Sequence, residues 1–269
     1  MTDLIVIPAR FGSTRLAGKP LVHIAGRSLL ERVVRVAREA AVLAGDCAVV
    51  VATDDPLIAD HAGTLGCAVA MTSPAISSGS GRACAAAAQR DQRPAIVVNL
   101  QGDAPFIPAD MVAALITAAR ASPAACVTPV VQLDWPALAA MRMHKARSPF
   151  SGTTCVRDAG GKAHWFSKAI MPAIRDEARL QAEGPLSPVF RHLGLYAYRL
   201  EALEQFEATP PTAYERLEGL EQLRFLEMGL TIQTIAVAPP VHAMSGIDTH
   251  DDVALAEELI RRFGDPWDA

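Results

Sequence analysis

The 269-residue chain reads as an α/β protein built on a doubly wound, mostly parallel sheet, with an inserted lobe in its second half. Three observations predict this. Near-continuous Val/Ile/Ala runs, rather than alternating ones, imply strands covered on both faces. Segments of helical period separate those runs, giving the β-α-β-α rhythm of right-handed parallel units. From about Leu133 the rhythm breaks into polar, Gly- and Pro-containing sequence, which marks the lobe.

The elements follow in order. A strand is predicted over 4–7 and a helix over 28–44. A strand over 48–52 leads to a helix over 56–65, announced by Asp54-Asp55-Pro56 with its proline in the first turn. Then come a strand over 68–71, a helix over 81–89 that accounts for the Ala-rich tract 84–88, and a strand over 95–100. Pro108 opens a helix over 108–121, and a strand over 126–131 completes the first part, residues 1–132. The lobe, 133–200, contains Ser148-Pro149-Phe150-Ser151-Gly152 and Glu183-Gly184-Pro185-Leu186-Ser187-Pro188, with short strands over 153–157, 164–167 and 192–198. Residues 201–269 return to the helical rhythm, with helices over 215–228 and 249–263 around a strand over 231–236. The length suits one large α/β domain.

Composition narrows the partners. Net charge is −4 and the basic residues form no run or stripe, so the footprint of a nucleic-acid binder is missing and any anion must be bound locally. No apolar run approaches a membrane span, and Met1-Thr2-Asp3 lacks the charged start of a signal peptide, so the expected setting is cytoplasmic. Cys47, Cys67, Cys84, Cys126 and Cys155 are scattered among small apolar residues and read as reduced core thiols, without zinc-ligand spacing.

The chemistry starts at the first strand's end. Pro8 to Pro20 carries Arg10, Arg15 and Lys19 with Ser13, Thr14 and two glycines, so backbone and side-chain donors can converge on a polyanion such as a triphosphate. Gly12 to Gly18 is one residue too long for a Walker loop, and no dinucleotide fingerprint follows the strand. Asp103, on the turn Gln101-Gly102-Asp103, lies at the same predicted sheet edge and is the leading ligand for a hard cation such as Mg²⁺; an Asx-turn is the structural alternative. Asp248 could complete that site, or Asp248 or Thr249 could cap the last helix; Asp54 and Asp55 are accounted for by a cap before Pro56. Ser77 to Arg82 suits a base or ribose through Ser80 and Arg82, and holds half of a dinucleotide fingerprint, with Cys84 in the third glycine's place. Arg191 to Tyr196 and Glu218 to Arg224 bring together a cation, an imidazole, a phenol, amides and carboxylates that suit a hydroxylated acid. Taken singly, His192 also reads as a strand histidine, and Glu218 and Glu221 as a solvated helical face.

Six motifs stand in one order: IPARFGSTRLAGKPL, VVVATDD, LQGDAPFI, RHLGLYAYR, LEGLEQLR and GIDTHDD. Together they resemble the 3-deoxy-manno-octulosonate cytidylyltransferase family over nearly the whole chain. The resemblance implies a Rossmann-like nucleotidyltransferase core that moves CMP from CTP to the anomeric hydroxyl of 3-deoxy-manno-octulosonate (Kdo) and releases pyrophosphate. It implies that Arg10, Ser13, Arg15 and Lys19 hold the triphosphate, that Ser80 and Arg82 serve the cytidine, and that Asp103 and Asp248 bind Mg²⁺, with Lys19 and the two aspartates forming the catalytic set. Gln101, Lys168, His192, Tyr196, Glu221 and Gln222 would line a sugar-acid pocket. Residues 1–132 would be mainly the nucleotide-binding half and 133–200 a sugar-acid and dimerisation lobe, in a cytoplasmic homodimer. The chain departs from the family pattern at Ile76, Ser80 and Gly81, across 148–154, and at Lys168, where the family carries an arginine. Those departures leave open a different sugar acid, such as a nonulosonic acid or an amino variant of Kdo, and a nucleotide-binding relative without turnover.

Overall fold

The structure is a computed structural model that describes residues 2–12, 15–242, 244 and 246–268. Its first part runs β1 (Asp3–Pro8), a one-turn 3₁₀ helix (Lys19–Leu21), the small hairpin β2 (His23–Ile24) and β3 (Arg27–Ser28), α1 (Leu29–Ala44), β4 (Cys47–Thr53), α2 (Pro56–Thr64), β5 (Ala68–Met71), α3 (Gly79–Ala88), β6 (Ile96–Asn99), α4 (Ala109–Ala121) and β7 (Cys126–Asp134). The rest runs α5 (Trp135–Arg147), β8 (Thr154–Arg157), β9 (Ala163–Ser167), α6 (Glu177–Glu183), β10 (Leu186–His192), β11 (Tyr196–Arg199), α7 (Leu200–Ala208), α8 (Ala213–Glu218), α9 (Gln222–Glu227), β12 (Ile232–Ala236) and α10 (His250–Phe263).

Local chemistry explains these elements. Ser28 caps α1 by accepting from the Glu31 N–H at 3.0 Å, and Leu29, Leu30, Val33, Val34, Ala37 and Ala40 form its buried stripe. Asp55 caps α2 by accepting from Leu57 and Ile58 N–H, as its sequence signal implied, whereas Asp54 does not cap. In β1 and β4 successive residues are buried on both faces, which is why their sequences do not alternate. Each fully buried aliphatic side chain of this kind is worth about 1.5–3 kcal/mol.

One mixed ten-stranded sheet organises the chain, in the order β5-β4-β1-β6-β11-β7-β10-β8-β9, with β12 also paired to β7. The pairs β5–β4, β4–β1, β1–β6 and β12–β7 are parallel, and β11, β10 and β9 run against the common direction. The larger core cluster packs α1, α2, α4 and α10 against this sheet, and a second packs α3, α7 and α9 against residues of the opposite alternation, so helices cover both faces.

The lobe differs from expectation. The single strand expected over 192–198 is interrupted: His192 pairs with Val130 and Ala197 with Val127, so two extra residues bulge out between them. At that point the outer partner of the chain changes from β8 to β6. The helix expected over 215–228 is two helices, α8 and α9, separated at Gly219 with φ of 63°. The helices α5 and α6 and most of β10 lie in stretches read as irregular, and α7 lies where no individual element was placed. No helix of the described residues is long and apolar enough to cross a membrane. Cys67, Cys126 and Cys155 are buried as expected, while Cys47 and Cys84 are half-buried; all five are free, and burial pushes the Cys155 thiol up to about 12.

The last residues are fastened back onto α1. Arg32, buried in α1, makes two hydrogen bonds to the Asp265 carboxylate at 2.8 Å each, and the guanidinium groups of Arg27 and Arg35 lie 3.9 and 4.6 Å from the Trp267 ring centroid. At the opposite edge, the backbone after β6 presses on the end of β1: a Cβ on Gly102 would stand 2.5 Å from the Pro8 carbonyl oxygen. We expect Gly102→Ala to move the turn that carries Asp103 and to cost about 1–3 kcal/mol as an overpacked contact. A denaturation midpoint equal to that of the parent chain would refute this.

Candidate active site

Two crevices open at the carboxyl ends of the parallel strands. The first, of about 340 Å³, lies between the loop after β1, the turn after β6 and the start of α3. Its lining includes Arg10, Arg15, Lys19, Arg82, Asp103 and Asp248 together with Ser77, Ser78 and Gly79. Lys19 is held at its rim because Gly18, at φ of 61°, turns the chain into the 3₁₀ helix.

The two aspartates meet here. The Lys19 ammonium donates to Asp103 Oδ2 at 2.7 Å and to Asp248 Oδ1 at 2.8 Å, and Arg15 lies 3.1 Å from the other Asp248 oxygen. Burial alone would raise the Asp248 carboxyl, but Lys19 and Arg15 outweigh it and hold the group below the usual carboxylate range. Thr249, not Asp248, caps α10, in a capping box with Asp252, which also accepts from the Asp248 N–H at 2.9 Å. Asp248 is thereby free to face the crevice. Arg10 has no hydrogen-bond or ion-pair partner among the described residues.

The α3 end is more constrained. Ser78 caps the helix by accepting from Gly81 N–H at 3.0 Å, and a Cβ on Gly81 would fall 2.8 Å from that hydroxyl and 2.9 Å from Ile76, which explains the glycine. Arg82 is buried, donates to Thr72 Oγ1 at 2.6 Å and pairs with Asp54 at 3.2 Å, while its Nε and Asp54 Oδ1 have no partner. Ser80 does not line the first crevice; it donates to Glu221 Oε2 at 2.9 Å, on the side of the second. Ser13 lies outside the described residues.

The second crevice, of about 490 Å³, sits where the sheet parts between β6 and β8, behind the β10–β11 bulge. Gln101, Lys168, His192, Tyr196, Glu221 and Gln222 all line it. Tyr196 donates to the Gln222 side-chain oxygen at 3.2 Å, leaving the buried Gln222 Nε2 without a partner; the buried Asn99 Oδ1, at the end of β6, also lacks one. His192 Nε2 is 2.9 Å from Thr128 Oγ1, and that hydroxyl is only 2.7 Å from the Leu195 carbonyl. The single hydroxyl proton goes to the carbonyl, so the imidazole donates through Nε2 and keeps its Nδ1 lone pair. Burial, reinforced by Lys168, lowers the His192 pKa to about 3. Burial also lowers that of Lys168, against the pull of Glu218.

Lys145 organises the rim of this crevice and is invisible as a site residue in the sequence. Its ammonium donates to the carbonyls of Ser151 at 2.6 Å, Gly152 at 3.0 Å and Lys168 at 2.5 Å, tying the loop 148–152 to the end of β9. Its only signal is a lysine shortly before a Pro/Gly loop, which is too common to read. Thr153, Phe106 and His242 also line the crevice without having been singled out. The two crevices share Gly79, Gln101 and Asp103 as a common wall.

The family model described as cytidylyltransferase matches residues 4–232. The 3-deoxy-manno-octulosonate cytidylyltransferase of Maricaulis maris is 39% identical over 266 residues, covering 98% of this chain and 99% of that protein. That of Xanthomonas oryzae pv. oryzae is 41% identical over 265 residues, covering 96% and 95%. A solved structure of CMP:2-keto-3-deoxy-manno-octonic acid synthetase complexed with CTP superposes with a TM-score of 0.82 at 30% identity, covering 97% of this chain and 99% of that one. A shared wall between two polar crevices, the matched family model and near-full-length relatives agree: the chain belongs to the cytidylyltransferase family, alongside the 3-deoxy-manno-octulosonate cytidylyltransferases.

Proposed function

We propose that this chain transfers CMP from CTP to the anomeric hydroxyl of Kdo and releases pyrophosphate. The observation that carries this reading is the common wall of Gly79, Gln101 and Asp103, which lets a nucleotide in one crevice meet an acceptor in the other. Arg10, Arg15 and Lys19 supply cations for the triphosphate, and the backbone at Ser78 and Gly79 approaches it closely. Arg82, tied to Thr72 and Asp54, shapes the wall next to the base, and Ser80 acts on the acceptor side through Glu221.

Asp103 and Asp248 are proposed to hold Mg²⁺. Two carboxylates within hydrogen-bond reach of one ammonium direct oxygen donors at one point, and a hard cation needs only one or two carboxylates besides substrate phosphates. The donor set therefore fits. Bound there, the ion would supply charge neutralisation at the phosphates. The chain's own contribution is positioning and electrostatics: Lys19 and Arg15 neutralise phosphate charge, Gln101 and Asp103 set the acceptor against it, and the neutral His192 offers Nδ1 to an acceptor hydroxyl. A cytoplasmic homodimer is part of the proposal. The exposed apolar side chains of Met143, Phe150 and Leu186, all in the lobe, support a second copy covering it. Lys168 in the acceptor crevice supports a second reading of the acceptor, a relative of Kdo such as a nonulosonic acid.

A pyrophosphate-release screen across nucleoside triphosphates and keto acids tests the whole proposal; turnover with CTP and Kdo is expected, and none with any sugar acid would reject it. Asp103→Asn should cut turnover by about 10²–10³-fold while leaving thermal stability nearly unchanged, a range typical of lost electrostatic groups at a reacting centre; near-parent kcat would remove Asp103 from the catalytic set. Lys168→Arg should change the ratio of kcat/KM among sugar acids with KM for CTP constant, whereas a change confined to CTP would move Lys168 out of the acceptor crevice. His192 gives a pH signature. Its folded pKa, about 3, lies below the unfolded value near 6.5, so only the unfolded chain takes up the proton between them. Stability should fall as pH drops from about 6.5 toward 3, by up to about 1.4 kcal/mol per unit from this residue. Urea unfolding of the parent chain and His192→Gln should diverge across that window, and parallel curves would contradict the assignment.

A further inference from the structure

Arginines in the interior of this chain are compensated, with one exception among the described residues. Arg32 meets Asp265, Arg82 meets Asp54 and Arg224 meets Glu215, yet Arg191, half-buried at the penultimate position of β10, has no hydrogen-bond, ion-pair or ring partner among the described residues. A guanidinium withdrawn from water without an anion is costly, and burial lowers its pKa with no opposing carboxylate. Arg191 lines the second crevice, beside the bulge that opens the sheet. Lys168 lines the same crevice, and its ammonium likewise has no ion pair among the described residues; the nearby Glu218 is occupied by Ser167 Oγ at 2.8 Å and by the Lys168 backbone N–H at 2.7 Å.

We propose that Arg191, assisted by Lys168, binds the carboxylate of the acceptor. This rests on the acceptor reading above and adds the residue that selects an acid. Guanidinium presents a planar pair of donors matched to a carboxylate, which an ammonium cannot. In a 2-keto sugar acid the carboxylate is bonded to the anomeric carbon, so fixing it also fixes the attacking hydroxyl relative to the wall at Asp103. Arg191 is thus a specificity-determining residue: it distinguishes an acid from a neutral sugar of the same size.

The test is calorimetric titration of the full chain and of Arg191→Met and Arg191→Lys with Kdo, with its carboxamide, and separately with CTP. Arg191→Met should weaken Kdo binding at least tenfold, leave CTP binding within twofold, and bind the carboxamide as the parent does; Arg191→Lys should recover part of the loss. Intact CTP binding certifies the fold. Unchanged Kdo affinity in Arg191→Met, or equal losses for acid and carboxamide, would overturn the inference while leaving the transferase reading in place. Loss of self-association with Kdo affinity intact would overturn it too, by giving Arg191 to an interface between copies. A parent chain that binds CTP and no sugar acid would reject the acceptor reading and this inference together.

Discussion

The site depends on the convergence of two carboxylates from opposite ends of the chain on one ammonium. Asp103 is carried by the turn after β6, Asp248 by the segment before α10, and Lys19 by the 3₁₀ helix after β1. Like charges at such short range are tolerated only with a cation between them, so each of these segments fixes the other two. The close approach of Gly102 to Pro8 sets the distance between the β1 and β6 ends, and Thr249 with Asp252 sets the direction of Asp248. Two carboxylates held together by a cation are suited to exchange that cation for another.

The second crevice is built on the opposite logic. Its cations, Arg191 and Lys168, make no ion pair among the described residues, its imidazole is held neutral, and Gln222 presents a buried amide nitrogen without a partner. Unmet polar groups inside a folded chain cost free energy. Gathered around one crevice, they are what the proposed acceptor, an acid with many hydroxyls, would complement.

Much of this was legible in the sequence, and the reasons are specific. The parallel strands read clearly because burial on both faces leaves unbroken apolar runs, and α2 because Asp55-Pro56 is both cap and first turn. That Arg10, Arg15, Lys19 and Asp103 line one crevice, and Gln101, His192, Tyr196, Glu221 and Gln222 another, was legible through the motifs they sit in. The lobe was not. In α5 a single buried residue, Leu138, leaves no apolar stripe to detect, and β10 hides in a Pro-containing tract that reads as loop. Which of Asp248 and Thr249 caps α10 could not be decided locally, because both can accept from the same N–H groups and only the distant Lys19 separates them. Ser80 reads as a nucleotide contact for the same reason: its partner, Glu221, is far away in sequence.

The bulge between β10 and β11 divides labour along one sheet. On one side of it, four parallel strands are locked in spacing by mutual pairing, and segments after β1, β5 and β6 line the first crevice. On the other, β8 and β9 join the sheet through β10, well removed in strand order from those four, so their side chains can be exchanged with little strain on the parallel strands. On the proposed reading, a chain built in this way can acquire a taste for a new acid by rewriting one border region, while the paired strands beneath the first crevice are inherited unaltered.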